Sequence, residues 1–192
     1  MHLLNLKDSW YAFIDNLYRR GLAGKNLELI IFDGQGSLRR AIDIVYPYNA
    51  KQRCWVHKLR NVQAKLPKKG TKKVMDSAKK IYLAEDRTTA EALLKNWQKD
   101  YHDVYPKAVE CLAKDIEDML TFFYFDKDIR SKIRTTNIIE RSFREIRRRV
   151  RPIACFQNSA SVNRIIFGVI SGINKGWKSK PIKEIKKFTQ NT

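Results

Sequence analysis

The chain has 192 residues, 43% of them hydrophobic, with 39 Lys+Arg against 20 Asp+Glu for a net charge of +19. That apolar content excludes a disordered polycation, and the length suits one good core or one core plus an insert. The charge is uneven, since residues 127–192 carry 17 Lys+Arg against 4 Asp+Glu. Such asymmetry implies a polyanionic partner. Nucleic acid fits better than an anionic membrane, because the basic residues are interleaved with helical core positions.

Cys54, Cys111 and Cys155 are too few and too scattered for a disulfide framework, which suits a reducing cytosol. No signal peptide, transmembrane run, internal repeat or low-complexity tract is visible, so the expectation is a soluble intracellular protein.

In chain order, Asp8 or Ser9 can cap a first helix with the stripe Trp10, Phe13, Ile14 and Leu17, and Gly21 is its stop. Leu27-Glu28-Leu29-Ile30-Ile31-Phe32 is short, apolar and rich in β-formers, and reads as a buried strand. Asp33 follows, and Gly34-Gln35-Gly36-Ser37 turns the chain into a helix carrying Leu38, Ala41, Ile42 and Val45. Strand, acid, glycine turn and helix present a side chain at the carboxyl edge of an α/β sheet, where active sites gather. An Asp that only hydrogen-bonds its own turn backbone would use the same sequence.

Tyr46-Pro47 ends that helix, and Gln52-Arg53-Cys54-Trp55-Val56 is expected as a second strand. His57 then opens a basic helix, broken by Pro67-Lys68-Lys69-Gly70. Cys54 and His57 have a metal-site spacing without a second Cys/His pair nearby. A packed cysteine with a helix-capping or phosphate-facing histidine is the plainer account. Residues 71–125 lose strand character, with helical stripes at Val74, Ala78 and Ile81, at Ala90, Leu93, Leu94 and Trp97, and at Val109, Leu112 and Ile116 after Pro106. Phe122-Phe123-Tyr124-Phe125 closes this block and reads as core before base-stacking platform.

A strongly basic helix follows, with the apolar stripe Ile139, Phe143, Ile146 and Val150 expected to face the core. Glu140 sits at the rim of that stripe, one turn before Arg144 and on the side of Arg147 and Arg151. Two readings stand side by side. Asn137 can cap the helix with Glu140 closing a capping box and pairing with Arg144. Alternatively, a carboxylate set where phosphates approach needs a divalent metal between them. After Pro152, Ser159 or Ser161 starts a last long helix ended by Gly176-Trp177, and Pro181 begins a basic tail helix around Ile182, Ile185 and Phe188.

Several of these blocks, in this order, resemble the Mutator-type transposases, including the IS256-like bacterial elements. They are Arg20-Gly21-Leu22, Asp33 with Leu38 and Ala41-Ile42, Gln52-Arg53-Cys54-Trp55-Val56-His57 with Arg60-Asn61, and Tyr105-Pro106-Lys107-Ala108-Val109. The last is Ile133-Arg134-Thr135-Thr136-Asn137-Ile138-Ile139-Glu140-Arg141 with the arginine cluster after it. The resemblance implies an α/β, predominantly helical chain: an incomplete RNase H-like fold with an all-helical insert before the last catalytic helix. Residues 1–66 would form a partial core, 67–132 the insert, and 133–192 the catalytic helix and basic tail.

It further implies an Asp-Asp-Glu triad holding two divalent ions, Mg²⁺ or Mn²⁺, with Asp33 as the second Asp and Glu140 as the last acid. Cys54, His57 and Asn137 would lie in the active-site vicinity. Arg134, Arg141, Arg144, Arg147, Arg148, Arg149 and Arg151 would hold DNA phosphates without reading sequence. The expected activity is cleavage and strand transfer at element ends by two-metal phosphoryl transfer, on transposon-end and target DNA, in a homo-oligomer beside the bacterial nucleoid.

Two departures shape this expectation. The first Asp of the triad belongs upstream of anything in this chain, and Asp8 precedes a helix instead of following a strand. The chain is therefore expected to be the C-terminal portion of a transposase with impaired activity. In addition, Gly34-Gln35-Gly36 replaces the Ala-His or similar residues usual after the second Asp. The competing expectation is a non-catalytic DNA-binding fragment that binds or inhibits. A basic RNA- or ribosome-associated protein fits the composition but leaves the Asp33 turn and Cys54-Trp55-Val56-His57 unexplained.

Overall fold

A computed structural model describes residues 6–153, 155–156 and 158–180, so the tail helix expected from Pro181 lies outside the described residues. Helix α1 (Leu6–Arg19) starts before Asp8 and Ser9, which therefore stand inside the helix and do not cap it. Ile14 is buried, with Trp10 and Leu17 packed against the same cluster, but Phe13 is exposed and stands edge-on to Trp10, with ring centroids 6.0 Å apart. Gly21 stops the helix as expected. Its φ of 105° supports bonds from the Gly21 amide to the Tyr18 carbonyl and from the Leu22 amide to the Leu17 carbonyl, the pairing of a Schellman turn.

Strand β1 (Leu29–Phe32) pairs in parallel with β2 (Ala50–Arg53), with Leu29 opposite Ala50 and Phe32 opposite Arg53. A parallel pair needs a crossover, and α2 (Gly36–Val45) provides it, burying Ala41 and Ile42. The second strand differs from expectation. It ends at Arg53, and Cys54-Trp55-Val56 is not strand, because α3 runs Trp55–Gln63 with Cys54 at its cap position. Trp55, Leu59 and Val62 recur at helical spacing and are all buried, and that burial outweighs the β-propensity of the local residues.

The strand is instead the polar-looking Ala-Lys-Gln-Arg. It is stabilised by Gln52, fully buried, whose amide donates to the Arg53 and Met119 carbonyls at 2.7 and 3.0 Å while its oxygen accepts the Phe122 amide at 2.7 Å. Every polar atom of this side chain is thereby matched, so its burial carries no desolvation penalty left unanswered.

The expected helical run is present as α4 (Lys72–Leu83), α5 (Arg87–Tyr101), α6 (Pro106–Ala113), α7 (Ile116–Leu120), a 3₁₀ turn (Thr121–Tyr124) and α8 (Lys127–Ile133). Asp86 caps α5 by accepting the Thr89 amide at 2.7 Å, and Pro106 opens α6, where its missing N–H costs nothing. Trp55, Ala78, Trp97, Leu112, Met119 and Phe122 belong to one apolar cluster, so this run shares its core with α3. Phe122, Phe123 and Phe125 are buried as expected, while Tyr124 is exposed under the Arg87 guanidinium.

Residues to Thr135 form one compact unit, and a second begins at Thr136. The second contains α9 (Asn137–Val150) and α10 (Ser159–Ser179), which pack on each other. Asn158 caps α10 by accepting the Ser161 amide at 2.9 Å, and the helix continues through Gly176-Trp177, where a stop was expected. The apolar stripe of α9 exists but is not buried: Ile139 is 53% and Phe143 50% exposed. The chain is thus α/β and predominantly helical. Among the described residues, no helix is long and apolar enough to cross a membrane.

Candidate functional site at the carboxyl edge of the strands

Asp33 is the first residue beyond β1 and is exposed to solvent. One carboxylate oxygen accepts the Gln35 amide at 3.0 Å, so the aspartate turn considered from sequence is present. That bond uses one oxygen of an exposed side chain. Gly34 makes the turn possible twice over. Its φ is +97°, and a Cβ there would run into the guanidinium of Arg53, the last residue of the neighbouring strand.

The same edge gathers the Cys54 block. The Cys54 amide donates to the Phe32 carbonyl at 2.8 Å, extending the ladder by one bond, and its side chain is fully buried. His57 is half-buried in the first turn of α3, past the cap position, so it does not cap the helix. The Trp55 amide donates to the Arg134 carbonyl at 3.0 Å, which ties Arg134 to the start of α3. Two segments eighty residues apart in sequence are thereby fixed at one edge.

Arg134 is turned inward. Its Nη1 donates to the Tyr82 carbonyl at 3.0 Å, its guanidinium stacks 4.7 Å from the Tyr82 ring centroid, and burial pushes its pKa below the ordinary value.

Beneath the Asp33 turn lies a charge cluster that sequence reading missed. Asp115, between α6 and α7, accepts Nη1 of Arg53 and the Lys58 ammonium, the latter at 2.7 Å. Lys58 is 1% exposed, and burial pushes its pKa down, an effect the Asp115 bond opposes. Burial pushes the Asp115 carboxyl up, but the Lys58 bond and the charges of Lys58 and Arg53 outweigh it and hold it below the usual carboxylate range. Arg53 and Lys58 stand in the legible block, whereas nothing near Asp115 in sequence marks it as their partner.

In the second unit, Thr136 takes the cap position of α9, and Asn137 is the first helical residue, exposed and not the cap. The Glu140 amide donates to the Thr136 carbonyl at 3.1 Å, and the Thr136 hydroxyl donates to Glu140 Oε1 at 2.8 Å. The Thr136 side chain accepts no backbone amide of the first turn, so the capping box expected on Asn137 does not form, and Thr136 meets Glu140 side chain to side chain instead. Arg141, Arg144, Arg147, Arg148, Arg149 and Arg151 are all exposed, with Arg148 paired to Glu145 at 2.7 Å. So many cations on one helix repel each other in water, and a polyanion relieves that repulsion.

Fold and site together define an α/β, mainly helical protein with a solvent-facing carboxylate at a strand's carboxyl end and an arginine-dense helix. The chain belongs to the Mutator family of transposases, whose family model matches residues 5–180. It is similar to the transposase for insertion sequence element IST2 of Acidithiobacillus ferrooxidans, 36% identical over 89% of this chain and 57% of that protein. It is also similar to the transposase for IS256 in transposon Tn4001 of Staphylococcus aureus, at 33% identity over 89% of this chain and 44% of the relative. The transposase for ISRM5 of Rhizobium meliloti is 32% identical over 89% of this chain and 42% of its own length. The chain thus spans about half the length of the curated relatives it matches.

Proposed function

We propose that this chain supplies part of the catalytic region of a DNA transposase of RNase H-like type, acting on element ends and target DNA as an oligomer beside the nucleoid. In this reading residues 1–66 are the sheet-bearing part of the core, 67–132 a helical insert, and 133–192 the last catalytic helix with its basic tail. The observation that carries it is Asp33: an exposed acid at the carboxyl end of a parallel strand, held by a turn that leaves one oxygen available.

Asp33 and Glu140 are the acids proposed to hold Mg²⁺ or Mn²⁺. The donor chemistry fits, since both are carboxylates with hard oxygen ligands, and neither is buried. A bound divalent ion would supply Lewis-acid stabilisation of phosphoryl oxygens. The residues themselves orient and hold. Thr136 fixes the rotamer of Glu140 through its hydroxyl, and the Gln35 amide fixes that of Asp33. Arg141, Arg144, Arg147, Arg148, Arg149 and Arg151 neutralise phosphates, while Arg134, engaged with Tyr82, holds its own segment in place.

A second reading is a non-catalytic DNA binder, favoured by the six exposed arginines of the α9 segment. One experiment separates them. In a full-length relative, changing the residue matching Asp33 to Ala should abolish Mn²⁺-dependent nicking of end DNA and leave DNA binding intact. Retained nicking would sink the assignment. In this chain, replacing Arg147, Arg148 and Arg149 by Ala should flatten the salt dependence of DNA binding by about one unit of log–log slope per lost contact.

A further inference from the structure

The Arg53–Lys58–Asp115 cluster is unused by the roles above, and it is costly to build. Arg53 and Lys58 have side chains only 12% and 2% exposed, and Asp115 is 25% exposed, so two cations are held out of water against one carboxylate. Buried charges are retained only where their geometry is well satisfied, and replacing such a cluster by apolar residues is often neutral or stabilising. Yet the satisfaction here is incomplete. Nε of Arg53 is buried without a hydrogen-bond partner among the described residues.

The location of that unsatisfied edge is informative. Nε and the adjoining guanidinium atoms lie where a Cβ of Gly34 would stand, so the guanidinium of Arg53 sits directly against Gly34 in the Asp33 turn. An aliphatic residue would fill the same volume without the buried charge. What an arginine adds is a planar, rigid group whose orientation is fixed from its far end, by Asp115. Asp115 is in turn held by Lys58, which is anchored in α3.

We infer that Arg53 is a positioning residue for Asp33. Its guanidinium forms the floor of the Asp33–Gly34 turn, and Asp115, reaching from the α6–α7 junction, sets the tilt of that floor. This gives the helical run a task at the strand edge: it supplies the carboxylate that orients the turn. It also accounts for glycine after Asp33 in this chain, because any side chain at 34 would displace the arginine. The inference rests on the reading of Asp33 as the functional acid, but its test does not require metal or cleavage.

The Gln35 amide, bonded to Asp33 Oδ1, is a local reporter of the turn. Amide exchange followed by NMR on this chain should show Arg53→Ala and Asp115→Asn each losing protection at Gln35 by about tenfold, the worth of one hydrogen bond. Amides in α5, far from the turn in sequence, should keep their wild-type protection in both variants. Arg53→Lys, which keeps the charge but not the plane, should leave Gln35 as exposed as Arg53→Ala does. Two outcomes overturn the inference: unchanged Gln35 protection in Arg53→Ala, or a loss spread evenly over α5 and the turn, which marks a purely structural cluster. If an Arg53→Ala variant does not fold, Asp115→Asn with Gln35 as reporter decides alone. Mn²⁺ titration of the wild-type chain is a separate arm. Absence of broadening at Gln35 there would undo the metal-holding role of Asp33 and leave the exchange result standing.

Discussion

The two units of this chain solve opposite problems. The first buries two apolar clusters and pairs polar groups deep within them, as Gln52 and the Trp55 indole do with the Met119 carbonyl, the latter at 2.7 Å. The second is a helix pair in which no residue is buried, and its most prominent feature is unneutralised positive charge. A region with a satisfied core specifies its own shape. A region with exposed apolar and basic faces carries surface meant for something else, and for the basic face a polyanion is the chemistry that fits.

The sharpest way to break this contrast is to truncate the core. Trp55→Ala removes a side chain that is 1% exposed and leaves the Met119 carbonyl without its indole partner, so a loss of about 3–5 kcal/mol is expected in urea denaturation. A loss below about 1 kcal/mol would mean the first unit is less tightly packed than its burial implies.

The next effect is pH-dependent and belongs to the same unit. Asp115 has its folded pKa depressed, so the stability it contributes is present above the unfolded value, about 3.9, and is lost as pH falls through the folded one. Unfolding midpoints measured from neutral pH downward should fall below about pH 4, and Asp115→Asn should flatten that part of the curve.

The smallest effect is expected in the second unit. Phe143→Ala removes a half-exposed ring and should cost less than about 1 kcal/mol by the same denaturation assay. A cost comparable to Trp55→Ala would show that the α9 stripe is covered in solution, and concentration dependence of the midpoint would identify a second copy as the cover.

Much of the helical architecture was legible from local rules. Gly21 ended the first helix, Pro106 opened another, and the run after residue 71 was helical, because capping, proline and 3.6-residue periodicity act within a few residues. The second strand was misplaced for the opposite reason. Trp55 and Val56 carry β-propensity, and the burial of Trp55 in one cluster with Ala78, Trp97 and Met119 outweighs it. Gln52 and Arg53 were expected in the strand, but its start at Ala50 was not, and the Met119 and Phe122 backbone groups that satisfy Gln52 are distant in sequence. Asn137 was expected as a cap because its type suits one, whereas the turn from α8 brings Thr136 to that place.

The candidate site divides along the same line. Sequence alone determined the family, the acid after the first strand, the glycine turn and the arginine-rich helix, since each is a short block whose chemistry is written in adjacent residues. Tertiary structure alone decided that Arg134 turns inward onto Tyr82, that the α9 stripe stays exposed, and that Asp115 reaches sixty-two residues back to grip Arg53. Electrostatic and packing partners meet through space, and no local pattern records which carboxylate a buried arginine will find.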